Sequence, residues 1–388
     1  AEPERGGAEA WTTARMRVSS DNRLDPGWVE RQQMVSNGLS DLARCEQVEA
    51  GAPQAIEFLE EHGVGIEHVT EERVFMDWNT DGNFAQPVGG GKAIVDGLAD
   101  SLAGFEGAEI LYETEAVRLS VAEDGAIDGI VVRGADGLMR TISAGSVAIA
   151  SGGFEGNYEM LTKYMGPAAS SLKPIAPGIA SNTGIGLQMA LDVGAATSGS
   201  FGGMHSELVD RRTDRPDAVI YTHNLGIVVN DDCERFIDEG RTDFTNSFEV
   251  IADEVWRNQN QSAYFITDQQ IMDLELDWVF DSDLPPVQAD TIAGLAGGLG
   301  LDPAALEGTV KAFNEACSEG ELDIGRFDGL TTEGLKPDKT NWAVPVDKAP
   351  FYAYPLTTAI TFTYGGLKTD TETRVLSTHD VPIPNLYA

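Results

Sequence analysis

The stretch VAIASGGFEGN, residues 147–157, indicates the fold class of the chain. Residues 146–150 are mostly apolar and lead into Ser151-Gly152-Gly153, which predicts a buried β-strand followed by a tight glycine turn. A helix is then predicted to begin near Asn157. A strand that passes through a glycine turn into a helix is typical of α/β proteins.

More β-sequence lies immediately upstream of this stretch. The run ILYETEAVRL from Ile110 is followed by two more short runs, and Asp-Gly turns at Asp124-Gly125 and Asp136-Gly137 separate the three. Such turns between short alternating runs predict antiparallel hairpins, and three strands joined in this way form a β-meander.

Helical periodicity is clear in two separate parts of the chain. Residues 26–68 are predicted to be mainly helical, with a core face formed by Ala55, Ile56, Phe58 and Leu59. The segment LDPAALEGTVKAFNEAC predicts a second helix, with Asp302 as its N-cap and Pro303 at its first position.

Changes in composition and in the pattern of predicted elements along the chain predict two domains. We place an α/β domain at residues 1–203 that resumes at 361–388, and a mixed α+β domain inserted at 204–360. The length of 388 residues is consistent with two domains, and 42% apolar residues are enough for a large buried core.

Composition excludes several functional classes. Asp and Glu number 63 against 26 Lys and Arg, only 8 of which are lysines, and the net charge is −37. A chain this acidic will not bind nucleic acid or anionic membranes by general electrostatics. No apolar run approaches the roughly 18 residues that a membrane span needs. Acid-rich, lysine-poor composition indicates adaptation to salt.

Cysteine usage and the glycine pattern bear on cofactors. Cys45, Cys233 and Cys317 are scattered, without a CxxC motif or a cluster with His, so neither a disulfide framework nor a metal site is predicted, and a reducing cytoplasm fits. A GxGxxG dinucleotide motif is absent. Its nearest approach is Gly184-Ile185-Gly186, which no obvious strand precedes.

Six segments, in order along nearly the whole chain, resemble the flavoprotein subunits of the fumarate reductase and succinate dehydrogenase superfamily, in particular its FAD-dependent tricarballylate dehydrogenases. The segments are RGGAEAWTTARMR from Arg5, GGGKAIVDGL from Gly89, VAIASGGFEGN from Val147, LGIVVNDDCERFIDEG from Leu225, ADTIAGLAGGLGLDPAALEGTVKAFNEAC from Ala289 and ITFTYGGLKTD from Ile360.

The resemblance implies a Rossmann-like FAD-binding domain with a β-meander and an inserted α+β capping domain. It implies FAD, bound non-covalently because no His lies in the segment from Arg5. It also implies that the family's GxGxxG motif and C-terminal FAD loop lie outside this sequence. The implied reaction is desaturation or reduction of a CH–CH bond beside a carboxylate in a tricarballylate-like substrate. The electron acceptor would be a quinone or an electron-transfer protein.

The resemblance also assigns residues to the cofactor site. Glycine turns allow close backbone approach and expose N–H groups to anionic or carbonyl oxygens. The residues that match the family's FAD contacts are Arg5, Gly6, Gly7, Thr12, Thr13, Val117, Ser151, Gly152, Gly153, Gly184 and Gly366.

Substrate-site residues are carried over in the same way. His205 matches the family's substrate-binding histidine, and Arg241 lies near the position of its proton-transferring arginine, although the spacing after RFIDEG is shorter. Glu239 or Glu207 could relay the proton. Candidates for further contacts with substrate are His223, Thr363 and Tyr364.

Three other readings stay open at this point: a fumarate reductase-like enzyme, a 3-ketosteroid dehydrogenase-type flavoenzyme and a non-enzymatic fragment. Fumarate reductases have His where this chain has Thr361 or Phe362, so fumarate is in doubt. A 3-ketosteroid dehydrogenase-type flavoenzyme would show an apolar cleft without cationic clamps around His205 and Tyr364. A non-enzymatic alternative is a fragment that folds but binds no flavin.

The acidic composition generates a first prediction. Because self-repulsion at a net charge of −37 destabilises the folded state until salt screens it, we expect the melting temperature to rise between low and molar KCl. Differential scanning calorimetry across a KCl series measures this. A flat or falling melting temperature would reject adaptation to salt.

Overall fold

The computed structural model of the chain describes residues 2–70, 83–221, 223–242, 244–276 and 280–388. The helices in these ranges are α1 (Trp28–Val35), α2 (Leu42–Glu61), α3 (Gly90–Ala103), α4 (Tyr158–Met165), α5 (Ile185–Asp192), α6 (Phe244–Asn258), α7 (Gln269–Met272), α8 (Ile292–Leu299) and α9 (Pro303–Ala316). Short 3₁₀-helices lie at Ala8–Trp11, Pro167–Ser171, Pro177–Ser181 and His223–Leu225.

The strands are short, with one exception near the end of the chain. They are β1 (Ile66–Thr70), β2 (Asn83–Pro87), β3 (Glu115–Val121), β4 (Ile127–Arg133), β5 (Met139–Ser143), β6 (Val147–Ala148), β7 (Lys173–Pro174), β8 (Thr197–Ser198), β9 (Met204–Asp210), β10 (Ile227–Val229), β11 (Ala263–Asp268), β12 (Val287–Ala289), β13 (Phe351–Thr363), β14 (Gly366–Leu367), β15 (Arg374–Leu376) and β16 (Pro382–Tyr387).

The long strand β13 organises the largest sheet. It pairs antiparallel with β9, β11 and β12 and parallel with β7, while β10 pairs with the far edge of β11. Helices α8 and α9 cover an apolar cluster that includes Ile227, Leu306 and Phe313. The strand crosses the predicted domain boundary at residue 360, and β7 joins it from the first half of the chain. The domain division stays a prediction.

The predicted β-meander is confirmed. Strands β3, β4 and β5 form an antiparallel sheet in that order. Gly125 and Gly137 occupy the turns with φ angles of +85° and +74°, which favour glycine over residues with a Cβ atom. The first strand begins at Glu115, five residues later than Ile110, where the sequence pattern placed it.

The strand predicted at residues 146–150 is shorter and less buried than expected. Only Val147 and Ala148 pair, in parallel with Leu386 and Tyr387 of β16. Strand β6 lies at an edge of its three-stranded sheet, so Val147 is half-buried and Ala148 is exposed. The helix predicted after the glycines is confirmed, since the Asn157 side chain caps α4 by accepting a hydrogen bond from the Met160 N–H. Gly152 has a φ angle of +70°, but the hydrogen-bonded turn follows at Phe154, whose carbonyl oxygen accepts the Asn157 N–H.

The helix predictions have mixed outcomes. Asp302 caps α9 and Pro303 is its first residue, as predicted. In α2, of the four residues assigned to a core face, only Ile56 is buried, and Phe58 is half exposed. Few elements cover α2, so one apolar residue contacts the small cluster of Val18 and Ala85 while the others face outward.

A buried ionic cluster lies beneath the turn that begins β10. Arg235 and Glu239 form an ion pair with 5% and 0% of their side chains exposed, and Glu239 also accepts the Val228 N–H. The Lys339 ammonium is fully buried, donates to the backbone carbonyls of Asn224 and Gly226, and has its pKa lowered to about 8 by burial. These groups fix the backbone that leads into β10.

None of the helices in the described ranges has the length and apolarity that a bilayer crossing requires.

The buried ion pair generates a stability prediction. Replacing Glu239 by Gln leaves the Arg235 charge uncompensated inside the protein, and we expect the free energy of unfolding to fall by about 3–5 kcal/mol. Urea denaturation measures the change. The control is Glu307→Gln on the exposed face of α9, which should alter the free energy of unfolding by less than about 0.5 kcal/mol. Equal midpoints for the two variants would contradict the prediction.

Candidate functional site

The end of β13 brings the predicted substrate residues together. A β-bulge between Ile360 and Phe362 shifts the register of β13 against β9, so that Phe362 lies opposite His205. Thr361, the extra residue, donates its hydroxyl to the His205 carbonyl oxygen at 2.7 Å. The chain then continues into Tyr364, whose N–H donates to the Gly203 carbonyl oxygen.

Aromatic rings enclose His205 on two sides. Phe362 stacks on its imidazole, with ring centroids 4.9 Å apart, and the Phe248 ring meets it edge-on at 5.7 Å. Phe248 belongs to α6, which packs across β9 and β13 through contacts such as the Thr358 hydroxyl on the Ala252 carbonyl. The imidazole therefore lies in a mostly apolar recess with two polar openings.

Carboxyl groups occupy both polar openings. The Nε2 atom of His205 lies 3.5 Å from a Glu207 oxygen, and its Nδ1 atom lies 3.3 Å from a Glu249 oxygen. Burial alone would favour neutral imidazole, but the two carboxylates outweigh it and raise the pKa of His205 to about 9. His205 is thus a cation at neutral pH whose charge the protein itself balances.

The same carboxyl groups bind two tyrosines. Tyr364 donates its hydroxyl to Glu249, and Tyr221 donates its hydroxyl to Glu207 at 3.1 Å. Burial opposes ionisation of Glu249, but its bonds from His205 and Tyr364 prevail and lower its pKa. Burial, and then the hydrogen bond to Glu249, raise the pKa of Tyr364. We call these five side chains, Tyr221, Glu207, His205, Glu249 and Tyr364, the histidine cluster.

Two predicted residues lie outside the histidine cluster. Arg241 is exposed, and within the described ranges its side chain makes no hydrogen bond or ion pair. Its suggested relay partner Glu239 is bound to Arg235 instead. His223, predicted on the cap surface, is completely buried against Phe265, and burial lowers its pKa to about 3. Both roles stay predictions.

Thr363 joins the histidine cluster to the glycine turn at residues 151–153. Its hydroxyl and N–H both donate to Glu155, and the hydroxyl also accepts the Phe154 N–H at 3.3 Å. A Cβ atom on Gly153 would lie 2.2 Å from the Thr363 hydroxyl oxygen, so only glycine fits. Thr363 therefore contacts the predicted cofactor turn, one residue before Tyr364.

Glycines that lie far apart in the sequence, Gly152 and the pair Gly365 and Gly366, line one cavity. A space of about 210 Å³ is bounded by the following residues: Ile149, Ser151, Gly152, Leu187, Gly365, Gly366, Leu367, Thr369 and Ala388. Three of the predicted cofactor residues, Ser151, Gly152 and Gly366, share it. Since whole ligand pockets commonly measure 300–1,000 Å³, this cavity matches a part of a dinucleotide.

The segment that contains Gly6 and Gly7 approaches this region indirectly. Gly7 has a φ angle of +79°, and its carbonyl oxygen would lie 2.2 Å from a Cβ atom on Gly178. The 3₁₀-helix that contains Gly178 ends at Asn182, whose amide lies against Gly152. A Cβ atom added to Gly6 or Gly7 would meet no atom within 4 Å. Thr12 and Thr13 follow on an exposed turn that packs on the first residues of α3.

The other predicted cofactor residues have distinct surroundings. The Arg5 guanidinium is bound by Asp96 and Asp100, beside a separate cavity of about 440 Å³. Val117 is the extra residue of a β-bulge in β3, which leaves its backbone outside the regular ladder. Gly184 caps α5 in the left-handed conformation, and a Cβ atom there would meet Met160 and Phe154. Packing alone therefore explains this glycine.

Sequence reasoning missed Glu249, Phe248 and Tyr221. The first two lie on α6, whose apolar residues Ile251 and Val255 repeat at helical spacing and are both buried. That spacing could have revealed the helix. It could not have shown that Glu249 faces His205, because this contact depends on the bulged register of β13 against β9.

Similar proteins are oxidoreductases from bacteria. The chain is 26% identical over 339 residues to a vinyl phenol reductase from Lactiplantibacillus plantarum, covering 77% of this chain and 64% of that protein. It is 28% identical over 381 residues to an NADH:acrylate oxidoreductase from Vibrio harveyi, covering 91% of this chain and 34% of that protein. The chain thus spans less than two thirds of the length of either relative.

The fold also has solved counterparts. The open conformation of a flavocytochrome c3 fumarate reductase superimposes with a TM-score of 0.76 at 22% identity, covering all of this chain and 66% of that one. This likeness confirms the predicted α/β FAD-binding fold with a capping region. The family model described as FAD binding domain matches residues 2–388. The chain therefore belongs to the FAD-binding domain family of flavoproteins, and its cofactor is FAD.

Proposed function

We propose that this protein is an FAD-dependent oxidoreductase that adds or removes two hydrogens across a carbon–carbon bond conjugated with an aromatic ring or a single carbonyl group. The observation that carries the proposal is the histidine cluster at the end of β13, whose Tyr364 immediately precedes Gly365 of the glycine cavity along the chain. The similar proteins support the reaction type, since their names specify reduction of vinyl phenol, acrylate and fumarate.

The glycine residues are proposed to hold the cofactor. The cavity lined by Ser151, Gly152 and Gly366 would take part of the FAD, and Gly6 and Gly7 would offer backbone groups nearby. Bound FAD would supply or accept a hydride at one carbon of the substrate. No His lies in the segment from Arg5 to Arg17, so we propose non-covalent binding.

The charge of the histidine cluster argues for a substrate with few negative charges. Glu207 and Glu249 already balance the His205 cation, and a polycarboxylate would bring further negative charge against both of them. The nearby arginines Arg211, Arg212 and Arg215 follow the opposite end of β9 and are bound to Tyr264, Asp210 and Asp281. Stacked Phe362 and edge-on Phe248 favour a planar, apolar substrate body.

A tricarballylate-like polycarboxylate is the second candidate. Arg241 supports it, because an exposed arginine without a partner among the described residues could bind a carboxylate as the substrate enters. The electron acceptor, a quinone or an electron-transfer protein, and a cytoplasmic location remain proposals from the sequence.

The packing of Gly153 generates a prediction about the cofactor. Gly153→Ala would force Thr363 and Glu155 away from the glycine turn, at a cost of about 1–3 kcal/mol, and we expect FAD affinity to fall about tenfold or more. Flavin absorbance per polypeptide and titration with FAD measure this. Gly145→Ala, where a Cβ atom meets nothing within 4 Å, is the matched control. Equal FAD affinity in both variants would contradict the proposal that the glycine turn at residues 151–153 binds FAD.

The proposed substrate class generates a second prediction. The holoprotein, reduced with dithionite without oxygen, is mixed with 4-vinylphenol, acrylate, a 1-ene-3-ketosteroid, fumarate and aconitate in turn. We expect the planar compounds with at most one negative charge to reoxidise the flavin at least about tenfold faster than fumarate or aconitate, because the two glutamates repel dianions and trianions. Stopped-flow absorbance follows the reaction. Fastest reoxidation by aconitate would favour the polycarboxylate instead.

A further inference from the structure

The histidine cluster forms an unbroken series of polar contacts. Tyr364 donates to one oxygen of Glu249, and the other oxygen of Glu249 lies 3.3 Å from the Nδ1 atom of His205. On the other side of the imidazole, Nε2 lies 3.5 Å from Glu207, which accepts the Tyr221 hydroxyl. Each member can pass a proton to the next, since carboxylates accept protons and the imidazole and phenols donate them.

The surroundings of the series favour proton transfer along it. Phe362 stacks on the imidazole and Phe248 meets it edge-on, so the two rings hold His205 in place between Glu207 and Glu249. Beyond the cluster itself, Asp253 on α6 acts electrostatically on Tyr364. At the other end of the series, burial and then the charge of Glu207 raise the pKa of Tyr221, and the charges of Asp217 and Asp281 raise it further.

The residue predicted from sequence for proton transfer has no comparable connection. The Arg241 side chain makes no hydrogen bond or ion pair in the described part of the chain, and Glu239 is bound by Arg235 and the Val228 N–H. Tyr364, by contrast, lies one residue from Thr363 and two from Gly366 of the cofactor cavity.

We propose that Tyr364 exchanges the proton with the substrate and that Glu249 relays it between Tyr364 and His205. This inference rests on the proposed function. In the reducing direction the Tyr364 O–H bond breaks as a C–H bond forms on the carbon that does not receive hydride, and both electrons come from reduced FAD. The His205 imidazolium then releases its proton to Glu249, which passes it to the Tyr364 phenolate, and solvent restores the proton on His205, whose side chain is 20% exposed. Desaturation runs the same steps in reverse.

Glu249→Gln tests the relay, because an amide keeps the shape of the side chain but cannot accept and release the proton. With the fastest substrate of the series above, we expect kcat to fall about 100-fold, with KM changed less than about threefold. Glu249→Asp should recover part of the rate. Glu254→Gln, on the same helix but bonded to Asn258, should retain the rate of the unaltered protein.

A second measurement does not depend on turnover. NMR titration of His205, assigned through His205→Asn, should show a lower pKa in Glu249→Gln than in the unaltered protein, because one of its two carboxylates is gone. Glu254→Gln should leave this titration in place. Thermal melting and flavin content show whether each variant is folded, and Glu249→Asp replaces Glu249→Gln if the latter is not.

The outcomes separate this proposal from the one it rests on. Normal kcat in Glu249→Gln, or a loss of turnover in Arg241→Lys but not in Glu249→Gln, would overturn the relay while leaving the proposed function intact. An unaltered holoprotein that reacts with no compound of the series would overturn the proposed function. An unchanged His205 titration in Glu249→Gln would overturn the relay even if the holoprotein reacts with no compound of the series.

Discussion

The pairing of β13 with its neighbours is the constraint on which the rest of the molecule depends. This strand of 13 residues contacts four others and ends where the cofactor turn and the substrate residues meet. In a sheet, a register shift of one residue moves every side chain to the other face. The single bulge at Thr361 makes such a shift locally, and it sets Phe362 against His205 while Thr363 reaches the glycine turn.

Charge is arranged differently inside and outside this acidic protein. Its basic residues are few. Two buried ones, Arg235 and Lys339, hold the backbone that leads into β10. His205 is charged only because two glutamates surround it. A cation that the protein already neutralises is a weak anchor for a substrate carboxylate but a good carrier of protons. The same residue therefore changes its expected role once its neighbours are known.

The sequence predicted local features better than long-range contacts. The meander, the cap at Asp302 and the helix that begins after Asn157 follow from short-range rules, and the structure confirms them. The family resemblance grouped His205 with Tyr364, and in the structure both side chains contact Glu249. Glu249 was missed because its position depends on how α6 packs over the sheet. Arg241 was favoured for its motif, although its side chain makes no ion pair with any residue that the structure describes.

The course of β13 has a thermodynamic consequence. One end of the strand belongs to the core beneath α8 and α9, and the other end touches the cofactor turn through Thr363. Separate melting of either region would remove the hydrogen-bond partners of the other along a shared backbone. We therefore expect the core beneath α8 and α9 and the cofactor turn to melt as one cooperative unit, so that damage to the packing of one region lowers the melting temperature of both.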